Sequence, residues 1–322
     1  MVRKTQQLSV EPSRTGQRLD RLLSETYPWV ARATWQERIR AGTVLLNARN
    51  VRPSRSVQTG DLIEFQFDVG PEPEVRRDYQ IVHRDTGFLV IDKPPNLPVH
   101  PSGVYNQNTL LNLLRNDYGP QFHAGFVNRL DRETSGLMIV ATNAGSARAF
   151  QTLLKAGQIE KEYQVLVFGQ FPDYMDATGF IGKKDGAIVR KKQEFRSRAF
   201  VDSKSCRTEF FRESLHDDLS LVRARLHTGR MHQIRATLCS LGFPVVGDRL
   251  YGPDENMYLR FIHDEETEAD RNCLRMQRTA LHSKRLRFLH PMNGKAIIEI
   301  TSPLPNDIRG LTESGGTAGI RS

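Results

Sequence analysis

Asn128-Arg129-Leu130-Asp131-Arg132-Glu133-Thr134-Ser135-Gly136 runs directly into Leu137-Met138-Ile139-Val140-Ala141, so a carboxylate between two arginines sits on a turn that feeds an apolar strand. A strand of that composition packs into a core and holds its turn rigidly, and a rigid turn is where a side chain can be aimed at a substrate. Asp131 is therefore the candidate for chemistry. The competing reading is an ordinary surface ion-pair network, of the kind that contributes about 0–1 kcal/mol.

The rest of the chain bears on that choice. With 322 residues there is room for two domains and a substantial core. No stretch approaches the roughly 20 apolar residues needed to cross a bilayer, and the first residues lead into no apolar signal core, so the chain reads as cytoplasmic, unprocessed and without a membrane partner. Cys206, Cys239 and Cys273 are widely spaced and form no Cys-x-x-Cys pair. The nine histidines show no His-Glu-x-x-His spacing, so neither a disulfide framework nor a metal site is expected. The net charge of +9 favours a polyanionic partner, and without a lipidation motif or basic amphipathic anchor nucleic acid leads.

Residues 16–70 read as a small α/β unit. Leu19, Leu22 and Leu23 share one face of a first helix, and Trp35 and Ile39 point inward from a second that stops at Gly42. Met1 to Gly70 holds eleven Lys/Arg against seven Asp/Glu, so Arg18, Arg32, Arg38 and Arg40 on the helix pair are candidate contacts for a phosphate backbone. The Arg18-Leu19-Asp20 start, the Gln36-x-x-Ile39-x-x-Gly42-x-Val44 core and the Gly60-Asp61 turn resemble the RNA-binding domain named after ribosomal protein S-four, with Ala31 where that family often has Ser and Ala48 where Gly usually follows Asn. Residues 71–78, proline-interrupted and acidic at the start, read as a linker.

Residues 79–308 alternate many strand candidates with few helices, which argues an α+β domain built on a mixed, mainly antiparallel sheet with flanking helices and loops. Residues 309–322 read as a disordered tail. The basic run Lys183 to Arg198 reads equally as a solvated loop or a phosphate grip, and the acidic stretch Asp254 to Arg278 as a solvent-exposed helical insertion.

Three sites distant in sequence each offer one group that a reaction on a flipped base would use. These are the carboxylate of Asp131, the ring and hydroxyl of Tyr163 in Lys161-Glu162-Tyr163, and a guanidinium in Gly229-Arg230-x-His232-Gln233-Ile234-Arg235. With Asp92-Lys93-Pro94-Pro95, Val99-His100-Pro101, Gly242-x-Pro244-x-x-Gly247-Asp248-x-x-Tyr251-Gly252, Ala280-Leu281-His282 and His290-Pro291, these blocks resemble the RluA-type pseudouridine synthases over most of the chain.

That resemblance implies an isomerase that converts specific uridines to pseudouridine in structured RNA, ribosomal RNA first and transfer RNA second. No cofactor or metal, no obligate protein partner and a monomer are expected. It implies Asp131 as the catalytic carboxylate, attacking the sugar or serving another covalent or acid–base role, and Arg235 as its buried partner, with Arg230 the alternative. A nearby positive charge is what keeps a buried carboxylate ionised. Arg129 would fill the gap left by the flipped base, Tyr163 would stack on that base and move a proton, and Lys93 would support the pocket or an RNA phosphate. Asn128 stands where many members carry His, and since an amide does not titrate it is given a positioning role at most. Asn96 stands where Gly is common. His232 and His282 read as structural.

Two other classes fit less well. A binding protein without activity has no need of Asp131, Tyr163 and Arg235 together. A glycoside or nucleoside hydrolase uses two carboxylates about 5–10 Å apart, and the signature offers one acid between arginines.

Overall fold

A computed structural model describes residues 2–27, 30–69, 72–102, 104–189, 191–294 and 296–313. The chain divides into two compact units between Pro73 and Glu74. The first contains β1 (Val2–Ser9), α1 (Leu19–Thr26), α2 (Arg32–Arg40), β2 (Val44–Leu46) and β3 (Leu62–Val69), with sheet order β1-β3-β2. Its core gathers Leu19, Leu22 and Leu23 from α1 with Trp35 and Ile39 from α2 against Ile63 and Phe65 of β3. The strand β1 precedes the boundary expected at residue 16. It alternates polar residues and pairs along all of β3, so backbone hydrogen bonding places it where side-chain patterning gives little signal.

Two residues join β2 to the returning chain. Asn47 and Ala48 have φ of 51° and 60°, and Leu46 and Arg49 exchange backbone hydrogen bonds of 2.9 and 3.0 Å across them. Such a turn favours Asn followed by Gly, and an L-residue held in the left-handed region loses roughly 1–2 kcal/mol per residue. Ala48→Gly is expected to stabilise this unit by about 1 kcal/mol, seen as a higher urea midpoint with unchanged slope.

The second unit contains, in chain order, β4 (Gln80–Asp85), β5 (Phe88–Lys93), α3 (Leu110–Tyr118), β6 (Gly125–Phe126), β7 (Ser135–Ala141), α4 (Ala144–Lys155), β8 (Ile159–Phe168), β9 (Tyr174–Lys183), β10 (Gln193–Arg196), β11 (Lys204–His216) and β12 (Leu219–Leu226). It continues with α5 (Gln233–Ser240), α6 (Asn256–Ile262), α7 (Glu268–Leu274), β13 (Leu281–Leu289), β14 (Ile297–Thr301) and α8 (Asn306–Glu313). Eleven strands form one sheet in the order β10-β9-β11-β12-β8-β13-β7-β5-β4, with β14 on β13 and β6 on β7. Every pairing is antiparallel except that of β13 with β7, so the α+β expectation with a mainly antiparallel sheet describes this unit. All seven residues of β7 are buried, as its unbroken apolar run suggests.

Gly136 is fixed by a close approach. Its φ is +105°, and a Cβ there would lie 2.3 Å from the carbonyl oxygen of Ser283 on β13. Only glycine lets the two strands meet at this level. The left-handed Asn96, φ 55°, accounts for the Asn where Gly is common, because Asn is among the residues that adopt this conformation with least cost.

Several expected boundaries move. Val75 packs on the main core, and Asn96 exchanges contacts with Glu74 and Arg76, so the later part of the 71–78 linker lies against the second unit; Pro71 is outside the described residues. The helix α8 runs through residue 308 to Glu313 and is held by the buried Arg278, which donates two hydrogen bonds of 2.7 Å to Asp307. Residues 309–313 are therefore helical, and 314–322 are outside the described residues.

The run from Lys183 to Arg198 is a β9–β10 hairpin in which Lys184 and Lys192 both pair with Glu255, at 2.8 and 2.7 Å. Those two charges are thus matched within the protein; Arg190 is not described. The acidic stretch from Asp254 forms α6 and α7 but is only partly exposed, because Asp270 is buried under Arg260 and Met257 and Leu274 enter the interior.

Candidate active site

The Asp131 turn is held from three sides. From β5, the fully buried Lys93 donates to the carbonyls of Pro94, Leu97 and Arg132 at 2.8, 3.0 and 3.2 Å. That uses all three of its N–H donors, and the last bond fixes the residue beside Asp131. Burial pushes the Lys93 ammonium down to about 7. From below, Asn128 accepts a 2.9 Å hydrogen bond from the Ile139 amide and donates to the Leu137 carbonyl at 3.2 Å, so it ties the turn to β7 through groups that do not titrate. On the far side Glu133 accepts from both the amide and the hydroxyl of Thr279 at 3.0 Å. Sequence reasoning gave Glu133 no role, and nothing local signals a partner 146 residues away.

Arg235 reaches Asp131 from α5. Its NH1 donates to Asp131 Oδ2 at 2.6 Å, while its Nε and NH2 grip both oxygens of Asp248 at 2.6 and 2.8 Å. Asp248 is completely buried and also accepts the amides of Leu250 and Tyr251 at 3.0 Å. The Tyr251 ring lies 5.0 Å from the guanidinium carbon. Each edge of the guanidinium is thus committed, and it presents one corner to Asp131. Asp248 and Tyr251 stand in the quoted Gly247-Asp248-x-x-Tyr251-Gly252 block, where glycine neighbours mark a tight backbone approach but do not name its purpose. A Cβ on Gly247 would lie 1.9 Å from the Arg278 carbonyl oxygen.

The electrostatics follow from this arrangement. Burial pushes the Asp131 carboxyl up, but the Arg235 charge above all, with the Arg235 hydrogen bond and Lys93, outweighs it, so the carboxyl lies below its ordinary value. Asp131 is ionised at neutral pH with its side chain about 35% exposed. Tyr163, on β8, is 5% exposed, and burial with the Asp131 charge pushes its phenol up to about 12, so it keeps its proton at neutral pH.

Arg230 is exposed, its Nε donating to the Ser205 carbonyl at 3.1 Å; the corner on Asp131 belongs to Arg235. Arg129 is exposed, with no hydrogen-bond or ion-pair partner among the described residues. His232 bonds Tyr251 at 2.8 Å and starts α5 in a left-handed conformation, φ 54°, while His282 bonds Ser135 at 3.0 Å. Burial pushes each imidazole down to about 4, leaving it neutral.

In the first unit the helix-pair arginines have other partners. Arg18 and Arg32 both fork onto the fully buried Asp20 at 3.0–3.1 Å, and the Arg38 guanidinium lies 5.6 Å from the Trp35 ring centroid. Arg40 is exposed. An open cleft of about 630 Å³ is lined by Arg49, Arg52 and Arg55, which sequence reasoning did not single out. The side chains of these three are exposed and make no hydrogen bond or salt bridge among the described residues.

Among the described residues no group of three His, Cys, Asp or Glu could hold a metal ion, and no helix is long and apolar enough to cross a membrane.

Residues 87–240, which carry Asp131, Tyr163 and Arg235, match the profile of the RNA pseudouridylate synthase family. A ribosomal large subunit pseudouridine synthase D from Haemophilus ducreyi is 33% identical, over 93% of this chain and 91% of its own. The chain belongs to the RNA pseudouridylate synthase family. The synthase is also 35% identical to a mitochondrial tRNA pseudouridine(32) synthase from Saccharomyces cerevisiae, over 69% of this chain and 47% of that protein. Its fold superposes on that of human RNA pseudouridylate synthase domain containing 1 with a TM-score of 0.55 and 26% identity, covering 72% of this chain and 86% of the other. The synthase is accordingly an isomerase acting on RNA.

Proposed function

We propose that this synthase isomerises specific uridines of large-subunit ribosomal RNA, with Asp131 as the catalytic carboxylate, acting as a cytoplasmic monomer without a cofactor. The observation that carries the reading is the Asp131–Arg235–Asp248 arrangement, which keeps one carboxylate charged, partly open and aimed by a rigid turn. Isomerisation breaks the bond from the anomeric carbon to uracil N1 and makes one to C5, so the base leaves its stack and turns within the site. Flipping costs a few kcal/mol, and stacking on an aromatic face returns about 1–3 kcal/mol, the part given to Tyr163. Arg129, exposed and without a hydrogen-bond or ion-pair partner among the described residues, is the residue given to the gap in the RNA, and the exposed Arg230 the one given to the strand.

Ribosomal RNA is favoured because the resemblance to the ribosomal relative spans both units, whereas that to the tRNA relative spans 69% of the chain. A tRNA substrate is the second reading, favoured by the higher identity of that shorter match. Chemical mapping of pseudouridine in ribosomal and transfer RNA from cells lacking the gene tests both. Sites missing from large-subunit RNA and restored by the gene support the proposal, sites missing only from tRNA support the second reading, and a complete map refutes the function.

The first unit adds affinity through Arg49, Arg52 and Arg55, aided by Arg40, because these side chains are exposed and make no hydrogen bond or salt bridge among the described residues. Replacing the three cleft arginines by Ala is expected to lower RNA affinity and to flatten the plot of log K against log salt by roughly 2–3, at about 0.7–0.9 per phosphate contact. Replacing Arg18 and Arg32 instead should lower the melting temperature, since Asp20 is left buried and unpaired. An unchanged salt slope in the triple variant would move the contact surface elsewhere.

A further inference from the structure

Three lysines are buried among the described residues, and two are accounted for. Lys93 spends its protons on three carbonyls and Lys192 pairs with Glu255 at 2.7 Å. Lys161 is 9% exposed, and its side chain makes no hydrogen bond or ion pair among the described residues. The side chain is mostly buried while its Nζ keeps some contact with solvent, so the ammonium has neither a counter-charge nor full hydration and is open to an anionic ligand that would complete it.

Its position names the ligand. Lys161 lies on β8 two residues before Tyr163, and since side chains alternate along a strand the two share a face. The acid beside it, Glu162, points the other way and is occupied by Arg223, Arg225 and Arg285 at 3.3–3.4 Å. Lys161 Nζ lies 3.7 Å from the place a Cβ on Gly229 would occupy. The ammonium thus sits beneath the Thr228-Gly229-Arg230 turn that leads into the helix of Arg235, on the same strand face as Tyr163. Gly229 and Arg230 are exposed, so this turn is an open edge of the site.

We propose that Lys161 receives a non-bridging phosphate oxygen of the RNA strand beside the flipped uridine. The phosphodiester is the only anionic group that RNA carries, and an ammonium lacking a counter-charge is completed by an anion more fully than by a neutral base carbonyl. The inference rests on the RNA-isomerising reading and adds a contact that reads strand position, separate from the chemistry at Asp131. Burial depresses the ammonium, and an arriving phosphate reverses that trend.

The test uses the full chain with unmodified, in vitro transcribed large-subunit ribosomal RNA. Lys161→Met should weaken binding and raise KM by about 10- to 100-fold, the range expected for a hydrogen bond to a charged group. It should change kcat little and reduce the salt slope by about one. Lys161→Arg should retain the slope. The RNA-free melting temperature of Lys161→Met should equal or exceed that of wild type, whereas a lysine with only a structural role would melt lower when replaced. An unchanged salt slope in Lys161→Met, or a lower melting temperature with unaltered binding, overturns the proposal. Absence of pseudouridine formation by wild type on ribosomal and transfer RNA would instead refute the underlying function, while the binding slopes still decide Lys161.

Discussion

Asp131→Asn is expected to abolish pseudouridine formation, by about 10⁴-fold or more in kcat, the scale on which removal of a reacting carboxylate is felt in enzyme sites. The amide keeps the size of the side chain and an oxygen that still accepts from Arg235, so folding and RNA binding should persist. The loss therefore tests chemistry and not architecture, with product formation measured in single turnover and binding measured beside it. Recovery of more than about a tenth of wild-type activity would remove Asp131 from the mechanism. The wild-type pH profile carries a second expectation. Because the folded carboxyl lies below its ordinary value, activity requiring the ionised form should be flat through neutrality and fall only in acid.

Arg235→Met should damage both stability and function. It leaves Asp248 fully buried and Asp131 partly buried with no shared cation, and breaking a buried pair by removing one partner costs about 3–5 kcal/mol. At about 2–4 °C per kcal/mol for a unit of this size, melting should drop by roughly 6–20 °C. The sign of the pH effect is fixed by linkage. A carboxyl depressed on folding contributes stability above its unfolded value, and this is lost as pH falls through the folded value. Without Arg235 the dominant opposing charge is gone and burial pushes Asp131 up. The acid limb of any residual activity should then move toward neutral pH, and the variant's stability should fall as pH rises from the ordinary carboxyl value through the raised folded value of Asp131 and stay low above it. An unmoved acid limb would show that Arg235 does not set the ionisation of Asp131.

Much of this site was legible before any coordinates because its parts sit in compact motifs. The apolar run after Gly136 announced a buried strand, and Asp131, Tyr163 and Arg235 each stand in a block of distinctive residues. What stayed hidden depends on side chains meeting across long separations. Asp248 was quoted within its block without a role, because only the folded chain brings it to the far side of Arg235. The arginines of α1 and α2 looked like a contact surface because their helix faces are polar. Sequence could not tell that Arg18 and Arg32 neutralise Asp20 while the loop arginines 49, 52 and 55 form no salt bridge among the described residues. The strand β1 was missed because its place comes from backbone pairing, to which a polar alternation gives little voice.

The meeting of Gly136 with Ser283 bears on how the enzyme comes into being. The two residues are brought together by the single parallel pairing among the described residues, and between them most of the chain's second unit must be made. Contacts of such long sequence separation form late, after their loop-closure entropy has been met. Glu133 and Thr279, 146 residues apart, close the same seam. The Asp131 turn therefore acquires its final shape only when β13 arrives. A nascent chain halted before Leu281 would already carry Asp131, Tyr163 and Arg235 but would not yet have a site.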